Sequence, residues 1–239
     1  MKSGLSLVRR RTQSMRYGAC ARHVNAGIAL LLAGIALLAA LGPLQAASER
    51  HILVLGDSLA AGYGLPASDA FTAQLEAALR GDGINAVVHN AGVSGDTSAG
   101  GRARIAWALS GVPGERPDLV IVELGANDAL RGIDPQATEA NLAAILETLA
   151  RQGVPALLAG MKAPRNLGRD YVEAFEAIFP RLAARFGVPL YPFFLDGVAA
   201  EPRLNQADGI HPNADGVAVI VRAFRPHVVA ALGQGGAGR

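Results

Sequence analysis

A parallel α/β sheet covered by helices on both faces is the fold class this chain predicts. Three observations carry that reading. Short, mostly aliphatic runs, as in strands buried on both faces, recur at 52–55, 119–124 and 154–159, interrupted only by Glu123 and Pro155. Segments with apolar residues at helical spacing separate them, which is the alternation of βαβ units. Three of the predicted strands also run directly into polar or glycine-rich residues. In a parallel sheet such ends share one edge, where open α/β folds bind ligands.

The elements follow in order. Residues 52–55 form the first strand, and 70–80 an amphipathic helix with Phe71, Leu75 and Leu79 on one face. A second strand covers 84–89, and a helix over 98–109 turns Ile105, Ala108 and Leu109 inward. The breaker Pro117-Asp118 introduces a third strand over 119–124. Leu142, Ile145, Leu146 and Leu149 repeat at helical spacing within 139–151, and Gly153 stops that helix. A fourth strand spans 154–159, and the helix over 170–186 is one that Pro180 must kink or break. Residues 190–194 make a weaker fifth strand. The closing helix, 213–232, is capped by Asn213 after Pro212. The glycine-rich tail 233–239 is expected to be disordered. No internal repeat or linker divides 47–232, so about five parallel strands in one domain are expected.

The first 46 residues are read as an export signal. Six of the 22 basic residues and none of the 20 acidic ones lie there. An apolar run over 28–41 follows, then small residues at Ala46 and Ala47. That run is short for a membrane crossing, so cleavage near Ala46 and a periplasmic or secreted, monomer-sized product are expected, with no stable membrane insertion. The processed chain keeps 16 basic residues against 20 acidic ones. No basic surplus remains to argue for nucleic acid. The single cysteine, Cys20, falls inside the export segment. A thiol nucleophile and a cysteine-ligated metal are thereby excluded from the mature protein.

The chemistry sits at the strand ends. The first strand stops at Gly56-Asp57-Ser58-Leu59, the second at Asn90-Ala91-Gly92-Val93-Ser94-Gly95-Asp96, the third at Gly125-Ala126-Asn127-Asp128. On its own, Asp57-Ser58 serves equally well as a turn and helix cap, and Asn127-Asp128 likewise. Near the C-terminus, Asp208-Gly209-Ile210-His211-Pro212 precedes the last helix. Together these blocks hold the parts of an acyl-transfer site. Ser58 is a nucleophile that needs a base, His211 is that base, and Asp208 lies close enough along the chain to orient it. Backbone N–H groups of Ser58 and Gly95 and the Asn127 amide are candidate donors for an oxyanion. Asp208 and His211 could instead ligate a metal, but a metal site wants a third ligand. His89 reads as a strand residue and His227 as a helix residue, so neither joins a cluster.

These blocks resemble the SGNH, or GDSL, hydrolase family, whose serine, glycine, asparagine and histidine correspond to Ser58, Gly95, Asn127 and His211. The resemblance spans nearly all of the mature chain. It implies a flavodoxin-like three-layer α/β/α fold, no cofactor or metal, and broad hydrolysis of esters and thioesters. It also implies that the segment carrying Leu130, Gly132 and Ile133 is a mobile loop over the acyl chain, with Leu130 and Ile133 as substrate-binding residues; both could equally pack beneath the loop. Phe193, Phe194 and Leu195 are read as core. An exported enzyme meets little cytosolic acyl-CoA, which favours small-molecule lipid or xenobiotic esters. Removal of acetyl groups from glycans, or ligand binding without turnover, are the alternatives. Two competing motifs fail. Gly62-Tyr63-Gly64-Leu65-Pro66-Ala67 sits too far past the strand for a dinucleotide turn. Gly56-Asp57-Ser58-Leu59-Ala60 lacks the second glycine of a nucleophile elbow.

Overall fold

The computed structural model describes residues 48–236. The export segment expected at 1–46, its cleavage point and the final residues of the tail lie outside the described residues. Strands β1 (Arg50–Gly56), β2 (Ala86–Gly92), β3 (Leu119–Glu123), β4 (Ala156–Ala159) and β5 (Leu190–Tyr191) build one sheet. Its order is β2-β1-β3-β4-β5, and every pairing is parallel. The helices are α1 (Ser58–Ala61), α2 (Phe71–Gly81), α3 (Ser98–Ser110), α4 (Ala126–Leu130), α5 (Pro135–Arg151), α6 (Arg169–Glu176), α7 (Ile178–Phe186) and α8 (Ala214–Gly236).

Handedness assigns these helices to layers. Crossovers between parallel strands are right-handed almost without exception. The chain leaves β1 in one direction to reach β2, and every later step along the sheet runs the other way. The crossover helix α2 therefore covers one face, and α3, α5 and the α6–α7 pair cover the opposite face. The packing agrees: α2 lies against α8, while α3 lies against α5 and α5 against α7. Sandwiched between the layers, Ile52, Val54, Leu55 and Leu119–Val122 of the two central strands are fully buried. On the α2–α8 side Phe71, Phe194 and Phe224 meet edge to face, with centroids 5.0 to 5.7 Å apart. Helix α8 is long and apolar enough to cross a membrane, but Val217, Ile220, Phe224 and Val228 spend its apolar stripe on this core.

Four departures from the sequence reading have physical reasons. Strand β2 begins and ends later than expected because it pairs in register with all of β1, from Arg50↔Ala86 to Gly56↔Gly92. Strand β5 stops at Tyr191 because Pro192 has no N–H to give the ladder. The long helix expected over 170–186 divides at Ala177, ahead of Pro180. The proline ring excludes the carbonyl four residues back, so the break falls upstream of the proline itself. Helix α8 continues through Gly236, into the segment expected to be loose. Asn213 caps its start, its Oδ1 accepting the N–H of Gly216 at 3.0 Å.

The end of β2 also fixes the placement of α1. A Cβ on Gly92 would fall on the backbone of Ala60 and Ala61, so this strand end accepts only glycine beneath the first helix. Gly92→Ala is expected to cost about 1–3 kcal/mol through overpacking, read as a lower urea midpoint at unchanged slope. An unchanged midpoint would show that α1 is free to move away.

Candidate active site

The reversal of direction between β1 and β3 is the topological switch point of the sheet, where loops from neighbouring strands diverge and leave a crevice. Ser58 follows β1 directly. Asp57 caps the short helix α1, its Oδ1 accepting the N–H of Leu59 at 3.0 Å, and Ser58 occupies the first helical position. His211 arrives from the other end of the chain. Its Nε2 lies 2.9 Å from Ser58 Oγ, and its Nδ1 lies 2.7 Å from Asp208 Oδ2.

Local chemistry explains why the histidine loop takes this shape. Asp208 Oδ1 accepts the N–H groups of both Ile210 and His211 at 3.0 Å, folding the loop around the carboxylate. Those bonds, that of the His211 backbone foremost, hold the Asp208 carboxyl down to about 2. An ionised carboxylate only accepts, so Nδ1 carries the proton and Nε2 presents its lone pair to the serine hydroxyl. Gln206 ties this loop to the β1 side by donating to the Tyr63 carbonyl at 2.7 Å, and the Tyr63 ring packs on His211 at 4.6 Å.

Asn127 stands on α4, a helix where the sequence suggested only a polar strand end. Gly125 turns the chain out of the sheet at φ +117°, a conformation side chains disfavour. The next residue, Asp128, is fully buried and anchors the turn. It accepts the Ser98 N–H at 2.8 Å, the Ser98 hydroxyl, and the Thr138 hydroxyl at 3.1 Å, joining α4 to α3 and α5. Asn127 Nδ2 donates one hydrogen to Asp57 Oδ2 at 3.1 Å, leaving its second one available. Gly95, at φ +82°, has its carbonyl held by Arg131 at 2.7 Å. Arg104 clamps the neighbouring strand ends through Gly56 O, Ala91 O and Asp96.

A cavity of about 570 Å³ opens at this edge, with Ser58, Asn127 and His211 on its wall. Of the two residues expected to bind substrate, Leu130 lines the cavity and Ile133 does not. The Ile133 carbonyl instead accepts the Tyr171 hydroxyl at 2.7 Å, pinning the segment to α6. Gly95 lies off the cavity wall, on the adjoining loop. Of the three residues read as core, Phe194 is fully buried, whereas Phe193 and Leu195 pack against the core with one side and line the cavity with the other. The strand expected over 190–194 already carried this signal, since its alternation sends Phe193 and Phe194 to opposite sides. Among the described residues no three His, Cys, Asp or Glu side chains converge as a metal site.

Residues 54–219 match the GDSL-like Lipase/Acylhydrolase family. The chain belongs to this family. Among relatives, it is 43% identical over 184 residues to the Esterase TesA of Pseudomonas aeruginosa, covering 77% of this chain and 89% of that one. It is 46% identical over 171 residues to the Thioesterase 1/protease 1/lysophospholipase L1 of Escherichia coli K12, covering 72% and 79%. Among solved structures, the SGNH-hydrolase family esterase AlinE4 is 50% identical with a TM-score of 0.65, over 77% of this chain and 97% of that one. The blocks that carried the GDSL resemblance in the sequence all fall inside the matched span.

Beneath this site Asp57 meets a second acid, Glu123, which the sequence reading did not single out. Asp57 and Glu123 are both 0% exposed, and the Asp57 N–H donates to Glu123 Oε2 at 3.3 Å. Glu123 Oε1 has no hydrogen-bond partner. Burial pushes Asp57 up to about 6, against the opposing bonds from Leu59 and Asn127. Burial, then the nearby Asp57 charge, pushes Glu123 well above the carboxylate range. Folding thus favours the protonated forms. The stability they contribute is complete below the ordinary carboxylate values of 3.8 and 4.5, and is lost as pH rises through the raised values. Glu123→Gln is therefore expected to be more stable than the parent at about pH 8 and to change less between pH 5 and pH 8, followed by urea melts. A variant less stable than the parent at pH 8 would contradict a neutral Glu123.

Proposed function

We propose that this ester hydrolase cleaves carboxylic esters and acyl thioesters through Ser58 as nucleophile, His211 as general base and acid, and Asp208 as the carboxylate that orients it. The observation that carries the proposal is the pair of contacts made by one imidazole: 2.9 Å to Ser58 Oγ and 2.7 Å to Asp208 Oδ2. The serine hydroxyl gives its proton to Nε2 as Oγ bonds to the carbonyl carbon. The resulting imidazolium is stabilised by Asp208, and then delivers that proton to the departing alkoxide or thiolate. Water attacks the acyl-serine by the same route in reverse, releasing the acid and restoring Ser58.

The developing oxyanion is assigned to the backbone N–H groups of Ser58 and Gly95 and the free amide hydrogen of Asn127. Support for Asn127 comes from Asp57, which holds the amide by its other hydrogen and so fixes its direction before the substrate arrives. Leu130, Met161 and Phe193 give the cavity apolar walls. This supports an acyl substrate of some length over acetyl removal from a sugar. The named activities of the relatives, esterase, thioesterase and lysophospholipase, point the same way.

Export completes the proposal. Basic residues without acids, then an apolar run and small residues, support cleavage near Ala46, a few residues ahead of β1. N-terminal sequencing of the secreted or periplasmic protein is expected to begin near Ala47. A membrane-bound product retaining 28–41 would contradict it.

Ser58→Ala and His211→Ala are each expected to remove most hydrolysis of a 4-nitrophenyl ester while thermal unfolding stays cooperative. The double variant should be little worse than either single one, because the groups act as a unit. Asn127→Ala should lower kcat by about 10²–10³ with little change in KM, the loss typical of one oxyanion donor. Additive losses, or activity that survives Ser58→Ala, would overturn the assignment.

A further inference from the structure

We infer that the far end of the cavity is a subsite for an anionic group, phosphate or carboxylate, carried by the ester substrate and bound by Lys162 and Arg165. The inference rests on the ester-hydrolase reading of Ser58 and adds a preference for charge on the substrate. Lys162 and Arg165 are the charged side chains on the cavity wall, and no aspartate or glutamate lines it. Two cations in a concave site whose other lining residues include no acid focus a positive potential into it.

Among the described residues neither Lys162 nor Arg165 pairs with a carboxylate, in contrast to Arg104, which is tied to Asp96; Arg102, Arg116, Arg131 and Arg151 likewise bond no carboxylate, but they lie off the cavity wall. Lys162 is the single lysine among the described residues. Its Nζ sits 4.7 Å above the Phe193 ring, a cation–π contact that holds the charge on the cavity wall.

Their distance from the reacting carbonyl follows from the sheet. Ser58 lies just past β1, and Lys162 and Arg165 lie just past β4, with β3 between. Neighbouring strands stand about 4.8 Å apart, so the ends of β1 and β4 are separated by roughly 10 Å. Leu130 and Met161 line the same cavity. A substrate that reaches both ends has a short apolar segment between its ester and its anion. The anion belongs either to the acyl chain, as a terminal carboxylate, or to the leaving alcohol, as a phosphate.

Matched substrates test this. The 4-nitrophenyl half-ester of octanedioic acid is compared with 4-nitrophenyl octanoate, and a monoacylglycerol phosphate with the neutral monoacylglycerol. In at least one pair the anionic member should have about tenfold higher kcat/KM, the size two solvent-facing ion pairs supply together. The gain should appear in KM and shrink in about 0.5 M salt. Lys162→Met/Arg165→Met should bring that ratio close to one, and the responding pair identifies the source of the anion. Calorimetry gives a readout without turnover: octyl phosphate should bind the parent protein several-fold more tightly than the double variant. Equal rates within both pairs, or a preference that survives the double substitution, overturns the subsite and leaves the ester-hydrolase reading standing. Absence of hydrolysis with intact octyl phosphate binding strikes that reading instead.

Discussion

Strand β1 is paired in parallel on both sides, and the chain leaves it first toward β2 and then back toward β3. Almost everything at the site depends on that reversal. Because crossovers keep one hand, reversing direction sends successive helices to opposite faces and opens a crevice at the carboxyl ends of β1 and β3. Ser58 and Asn127 are the first side chains past those two ends that carry useful chemistry. Asp57 joins them by capping α1 with one oxygen and holding Asn127 with the other. The His211 loop then needs only two ties to register on the serine: Asp208 inside the loop and Gln206 across to Tyr63.

The electrostatics of the site separate two kinds of carboxylate. Asp208 is bonded by three N–H groups and stays ionised deep into the acid range, as a partner for an imidazole that must become a cation. Asp57 and Glu123 are buried together, which raises both, Asp57 to about 6 and Glu123 well above its ordinary value. Ionising a buried, incompletely bonded acid costs stability, and proteins retain such costs chiefly at functional sites. Here the return is geometric. Glu123 accepts the N–H of Asp57, and Asp57 in turn fixes the serine's helix and the direction of the asparagine amide.

Most of this was legible in the sequence, and the exceptions share a cause. Buried strands, helical periodicity and the four blocks announced the sheet, its edge and the residues that meet there, because each depends on local pattern. Long-range pairing was not legible. Full register with β1 carried β2 on to Gly92, and the anchoring of Asp128 to Ser98 and Thr138 turned an apparent loop into α4. The cavity wall was the least readable part. Ile133 and Phe193 are both apolar residues near functional loops, yet one turns away to be pinned by Tyr171 and the other lines the cavity. Arg104 carries no sequence signal of its role, and only the tertiary structure shows it bonding Gly56 O, Ala91 O and the Asp96 carboxylate.

Covalent trapping addresses the central claim most directly, because it asks which atom of the intact protein reacts. A fluorophosphonate transfers its phosphonyl group to an activated serine with loss of fluoride, and peptide mass spectrometry locates the adduct. One adduct per chain is expected, on the peptide containing Ser58, and it should form far more slowly in His211→Ala. Labelling at another residue, or an unlabelled protein that still hydrolyses esters at full rate in excess reagent, would contradict the account.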